Sequence, residues 1–183
     1  MFTLQQLSDW CKHLVLPKNI RPSQSAHAYS ERLQTRWLLR SDLKPVAMLD
    51  GAVNTRPWCE DLFKQVLTRR DTLGMATTLW DFTTVVGFTI YTLEPRRLEI
   101  LKLVEDPIVR DLKVATYMLG RLKERLTPNG RTQINVVVDE YDTAGQLFYQ
   151  SAGFTCTGVV KDYFDTLYER SDGYSFTFSI RPK

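Results

Sequence analysis

The chain has 183 residues, 43% hydrophobic and 25% charged, with a formal net charge of +3. That balance excludes a disordered or fibrous protein and fits one globular core of ordinary size. The charge lacks the dense basic stripe that nucleic-acid binding calls for, and no apolar run approaches the ~20 residues of a membrane helix.

Cys11, Cys59 and Cys156 are scattered and odd in number, which speaks against a disulfide framework and fits a reducing compartment. His13 and His27 have no Cys or His partner at ligand spacing, so no metal site is expected. The opening MFTLQQLSDW lacks the basic and apolar regions of a signal peptide, and the expected location is cytoplasmic.

Residues 3–15 read as a short amphipathic helix, with Leu4, Leu7, Cys11 and Leu14 on one face and Pro17 as its stop. Pro17 to Ser30 is rich in Pro and Ser and has no period. Residues 1–33 are therefore expected to be an appendage, and 34–183 a domain. Trp37, Leu38 and Leu39 suggest a short strand, and Ser41-Asp42 an N-cap for a helix ended by Asp50-Gly51. Pro57 stands at the start of a second helix striped by Trp58, Leu62, Phe63, Val66 and Leu67.

Met75 to Trp80, Val85 to Leu93 and Leu98 to Glu105 read as three strands joined by short turns, an antiparallel meander. Pro107 closes the third. A helix follows from about Asp111 to Leu126, with Leu112, Ala115, Leu119, Leu122 and Leu126 on its buried face. Ile134 to Val138 is a nearly continuous apolar run, the pattern of a strand covered on both faces. Asp142 caps a helix whose Ala144, Leu147 and Phe148 are expected inside, with Gly153 as its stop. Phe154 to Tyr163 and an alternating strand through Tyr174, Phe176, Phe178 and Ile180 finish the chain, joined by a turn at Ser171-Asp172-Gly173. The order β-α-α-β-β-β-α-β-α-β-β implies one α/β domain with a mixed, mostly antiparallel sheet flanked by helices.

With VVGFTIYTLEPRRLEIL (Val85 to Leu101), the Arg110 segment and AGQLFYQSAGF (Ala144 to Phe154), that order resembles the GNAT acetyltransferase superfamily and its RimI-like branch, which acetylates protein N-termini. The resemblance spans roughly residues 35–181. It implies an acyltransferase that moves an acetyl group from acetyl-CoA to a primary amine, a peptide N-terminus or a small amine, by direct attack in a ternary complex. Acetyl-CoA would lie in a split between Leu98–Glu105 and Ile134–Val138, its pantetheine against backbone of Leu103, Val104 and Glu105. The pyrophosphate would sit on Arg110-Asp111-Leu112-Lys113-Val114-Ala115, the counterpart of a Q/R-x-x-G-x-G/A motif. Arg110 and Ala115 fit that motif, and Lys113 replaces its first glycine. Asp142 matches an asparagine frequent beside the cofactor.

Two catalytic roles follow from the resemblance. Tyr149 matches the tyrosine that protonates the leaving thiolate. The RimI-like glutamate aligns with Val137, which cannot titrate. Glu99, eleven residues before Arg110, has the spacing of the base in the histone-acetyltransferase branch, and Glu105 and Asp139 are weaker candidates for that base. The alternative is a GNAT-fold protein with weakened cofactor binding that acts as an interaction module, with a protein partner or a homodimer. Nucleic acid is disfavoured, since the basic residues are not interleaved with a displayed aromatic platform.

Overall fold

The computed structural model describes residues 33–79, 83–128, 130–165 and 170–180. The expected helix 3–15 and the Pro/Ser-rich arm fall outside these residues, as do Trp80, Asp81 and Phe82.

The elements are β1 (Gln34–Trp37), α1 (Leu43–Val53), α2 (Glu60–Leu67), β2 (Thr72–Thr78), β3 (Val85–Leu93), β4 (Arg97–Glu105), α3 (Val114–Lys123), β5 (Gln133–Asp139), α4 (Thr143–Ser151), β6 (Thr155–Asp165) and β7 (Arg170–Ser179). Their order is the one read from the sequence. The strands form one seven-stranded sheet in the order β1-β2-β3-β4-β5-β7-β6. Among the described residues β4 with β5 is its one parallel pair.

Alternation along the strands divides two cores between the sheet's faces. On one face Leu98 and Ile100 of β4 and Ile134, Val136 and Val138 of β5 pack with Leu119 and Leu122 of α3 and Tyr149 of α4. On the other, Phe88, Ile90 and Val104 pack with Leu43, Val46 and Leu49 of α1 and Phe63 and Val66 of α2. Fully burying a side chain of this size is worth about 1.5–3 kcal/mol, so these two layers fix where the helices lie.

Several sequence expectations need correction. Asp50-Gly51 does not end α1, which runs on to Val53, because the Asp50 carboxylate is buried and bound to neighbours. Pro57 precedes α2, whose first residue is Glu60. β5 is not covered on both faces: Ile134, Val136 and Val138 are buried while Asn135 and Val137 are only half-buried, since helices cover one side of it. Ala144 and Leu147 are exposed, and Tyr149 is the buried residue of α4. Ser171-Asp172-Gly173 lies inside β7, paired with β5 and β6 rather than forming the turn.

The helix expected from Asp111 to Leu126 is broken. A 3-10 segment, Pro107–Leu112, comes first, and α3 begins only at Val114. Lys113 between them is left-handed, with φ 53° and ψ 44°, which a single α-helical period cannot accommodate.

Candidate active site

The sheet is forked at its middle. β4 and β5 pair from Arg97–Gln133 to Ile100–Val136 and no further. Beyond that rung β4 keeps its pairing with β3 as far as Glu105, and β5 keeps its pairing with β7 as far as Asp139. The cause is local: the β3–β4 register shifts between Ile90 and Tyr91, leaving Leu101 as an extra residue on β4. A bulge of this kind bends its strand and increases the twist. The backbone edges of Leu103, Val104 and Glu105 that face β5 thus have no partner strand among the described residues.

The fork ends at the start of α3. Asp106 begins the 3-10 segment by accepting the Ile108 N–H through Oδ1 at 2.9 Å, and burial pushes its carboxyl above the ordinary range. Val114 then packs onto Gly87 of β3, where a Cβ would lie 2.7 Å from Val114 Cγ1. Only glycine lets the helix come this close. The Ala115 N–H donates to Glu105 Oε2 at 2.8 Å, so a carboxylate from the end of β4 sits on the helix N-terminus. Arg110, Asp111 and Lys113 are exposed and Leu112 is half-buried.

Tyr149 lies on the α3–α4 side of the fork, 6% exposed, among Phe148, Phe154 and Phe176. Helical side chains lean toward their helix N-terminus, which here stands at the open end of β5. Burial, and then the negative charge of Asp142, push the Tyr149 hydroxyl well above its usual range, so it stays protonated at neutral pH. Asp142 caps α4 by accepting the Gly145 N–H at 2.9 Å.

Glu99 belongs to the opposite face, since it alternates with Leu98 and Ile100. Asn135 is its register partner on β5, one rung below the fork. Burial raises the Glu99 carboxyl above its ordinary range, and a hydrogen bond and repulsion from Glu94 add to this, while Arg97 pulls it back in part. Arg97 itself pairs with Glu94, its Nε 2.5 Å from Oε2. Among the described residues Asn135 Oδ1 is buried without a hydrogen-bond partner.

The same face is roofed by the α1–α2 loop and by the irregular stretch of β6. Arg56, between α1 and α2, pairs with Asp139 at the end of β5, donates to Ser171 Oγ of β7 at 3.0 Å, and lies over the Phe164 ring. Below it Lys102 Nζ reaches both Asp50 oxygens at 3.0 and 2.9 Å and sits over Trp58. In β6, the register with β7 shifts between Val160 and Phe164, and Asp172 takes the Asp162 N–H at 3.1 Å. Tyr163 is thereby laid over Gly173, where a Cβ would collide with Val137 Cγ1 and stand 3.1 Å from Tyr163 Cβ. The Tyr163 side chain is 44% exposed, but partial desolvation of its hydroxyl and then the charge of Glu99 raise it above its usual range.

No protein-family model and no curated protein matches the chain. Solved structures do. The ribosomal-protein-S18-alanine N-acetyltransferase of Escherichia coli aligns over 81% of this chain and 94% of its own, with TM-score 0.69 and 19% identity. Arabidopsis thaliana NAA60 in complex with a bisubstrate analogue aligns over 82% and 99%, with TM-score 0.69 and 15% identity. Ard1 from Thermoplasma volcanium aligns over 82% and 99%, with TM-score 0.71 and 16% identity. The chain has the GNAT fold.

Within the GNAT frame, the residues singled out in the sequence fall into three groups. Leu103, Val104, Glu105, Val114 and Ala115 converge on the fork and the α3 start, with Arg110, Asp111, Leu112 and Lys113 leading into it. Tyr149 and Asp142 stand beside the fork on the helix-covered side. Glu99 stands on the other side, so it and Tyr149 can serve one reaction only through the fork. Asn135, Tyr163 and Arg56 were not singled out, and Trp58, read as part of the apolar stripe of α2, lies in the loop before it. Asn135 carried a usable signal, a lone amide inside the apolar run of β5. Arg56 and Tyr163 carried none, because their placement depends on pairings across 83 and roughly ten residues of chain, respectively.

Proposed function

We propose that the protein transfers an acetyl group from acetyl-CoA to a primary amine, by direct attack in a ternary complex. The observation that carries this reading is the fork, with Glu99 beneath it on one face and the protonated Tyr149 beside it on the other. The unpaired edge of Leu103–Glu105 suits the amides of a pantetheine arm. The start of α3 suits a diphosphate through the Val114 N–H, and through the Ala115 N–H once the Glu105 carboxylate leaves it.

The chemistry needs a base for the ammonium proton and an acid for the leaving thiolate. Glu99 accepts the amine proton, and its raised carboxyl is a stronger base than a solvated one. The amine nitrogen attacks the thioester carbonyl, the C–S bond breaks, the Tyr149 hydroxyl protonates the sulfur, and the second proton of the attacking nitrogen returns to the Tyr149 oxygen. The acceptor enters from the face roofed by Arg56 and Tyr163, where Glu99, Asn135 and the aromatic rings suit a cationic amine. A peptide N-terminus and a polyamine are both acceptors of that class.

A second reading, a scaffold that binds partners without catalysis, is favoured by the occupied α3 start and by Lys113 at the glycine position. Calorimetric titration with acetyl-CoA, followed by turnover assays with peptide N-termini and small amines, separates the two. Micromolar binding with acetyl transfer supports the enzyme. No binding at millimolar acetyl-CoA supports the scaffold.

A further inference from the structure

The α3 start already holds an anion. Glu105 is the last residue of β4, and its Oε2 accepts the Ala115 N–H at 2.8 Å. The contact bridges ten residues and is not an ordinary N-cap, since the N-cap position of α3 is Lys113, whose side chain caps nothing. A carboxylate on a helix N-terminus is electrostatically equivalent to a phosphate oxygen there.

We propose that Glu105 is a specificity-determining residue for the acyl donor, an internal occupant of the diphosphate seat that a coenzyme A thioester must displace. Two features strengthen this assignment. Glu105 is fixed in place by β4 itself, whose pairing with β3 extends to the Gly87–Glu105 rung, so the carboxylate stays near the seat after displacement. It then stands close to a diphosphate as a like charge. The exposed Asp111 in the 3-10 segment adds to the repulsion, against the exposed Arg110 and Lys113.

The consequence is selective. Glu105 acts on the diphosphate and not on the pantetheine arm, which lies along the backbone edge of β4. The donor site is thereby tuned down for the nucleotide part of coenzyme A and left intact for the acyl-pantetheine part. The location of the diphosphate rests on the acetyl-CoA reading above; the carboxylate contact does not.

The test is calorimetric titration of the full chain and of Glu105→Ala and Glu105→Gln with two probes, acetyl-CoA and S-acetylpantetheine. Glu105→Ala is expected to bind acetyl-CoA at least tenfold more tightly than the parent, and Glu105→Gln by a smaller factor, because the amide still accepts a hydrogen bond but carries no charge. Affinity for S-acetylpantetheine should stay within twofold in all three proteins. Thermal melts of both variants establish that they are folded. Unchanged or weaker acetyl-CoA binding in folded variants, with a parent that binds acetyl-CoA, overturns the inference and leaves the acetyl-CoA reading standing. Failure of all three proteins to bind acetyl-CoA overturns both. Equal tightening for both probes also overturns it, since Glu105 would then act on the pantetheine arm.

Discussion

Glu99 and Asn135 stand side by side on neighbouring parallel strands, one rung below the point where those strands part. One offers a carboxylate whose proton affinity is raised by burial and by Glu94, the other an amide oxygen without a donor among the described residues. A cationic amine at the fork would satisfy both. Glu99→Gln should therefore lower kcat/KM for an amine acceptor by about 10²–10⁴-fold, the usual range for loss of a general base. Acetyl-CoA affinity should not change. In the parent protein the acidic limb of the pH profile of kcat/KM should lie above the ordinary glutamate range, since the base works only when deprotonated. An acidic limb that persists in Glu99→Gln would assign the titration to another group.

The charge on Glu99 also bears on stability. Its folded carboxyl is raised, so its contribution is most favourable at low pH and declines as pH rises through the folded value. Glu99→Gln removes that penalty and should stabilise the protein at neutral pH, by less than about 1 kcal/mol once solvent screening is counted. Urea denaturation at pH 7 and at pH 4 checks the sign, with the variant's advantage present at pH 7 and lost at pH 4.

Asn135 is expected to act on acceptor binding. A hydrogen bond to a charged group is worth about 1.5–3 kcal/mol. Asn135→Ala should raise KM for the amine at least tenfold while kcat falls much less. Asn135→Asp should recover KM for a cationic acceptor. Steady-state kinetics with the acceptor varied at saturating acetyl-CoA decide it. A fall in kcat with KM unchanged would remove Asn135 from amine recognition.

The legible part of the molecule was what local pattern encodes. Leu112 to Leu126 shows a helical stripe, Tyr174 to Ile180 alternates, and Asp142 and Gly153 bracket α4, so the element order could be read before any contact was known. The fork could not, because it arises from one extra residue in β4 and from pairings of β4 and β5 with outer partners. The left-handed Lys113 was masked by the apolar period that runs through it from Leu112 to Leu126, although the resemblance puts a glycine at that position. Glu99 and Tyr149 could be named from the family resemblance, but their opposite faces follow only from the strand register and from which helix covers which side.

Tyr149→Phe tests the other half of the mechanism. The hydroxyl is lost while the ring still packs on Phe154 and Phe176, so the fold and acetyl-CoA affinity should be nearly unchanged. Turnover should fall by about 10²-fold if the hydroxyl protonates the thiolate. A burst of acetylated product followed by slow turnover would instead locate the defect in product release.

Lys102 and Asp50 provide structural support under the face that carries Glu99. The Lys102 side chain is 12% exposed and that of Asp50 fully buried, and Asp50 also accepts the Trp58 N–H at 2.6 Å and a hydrogen bond from Asn54. Asp50→Ala leaves Lys102 buried beside no counter-charge and frees the loop carrying Arg56 and Trp58. Breaking one side of a buried pair typically costs about 3–5 kcal/mol. The melting temperature should drop accordingly, while Lys102→Met, which removes the buried ammonium and keeps the apolar stem, should retain more stability in combination with Asp50→Asn than Asp50→Ala alone. A double-mutant cycle measures that coupling, and a coupling near zero would mean that the α1–α2 loop is held by Arg56 and Asp139 instead.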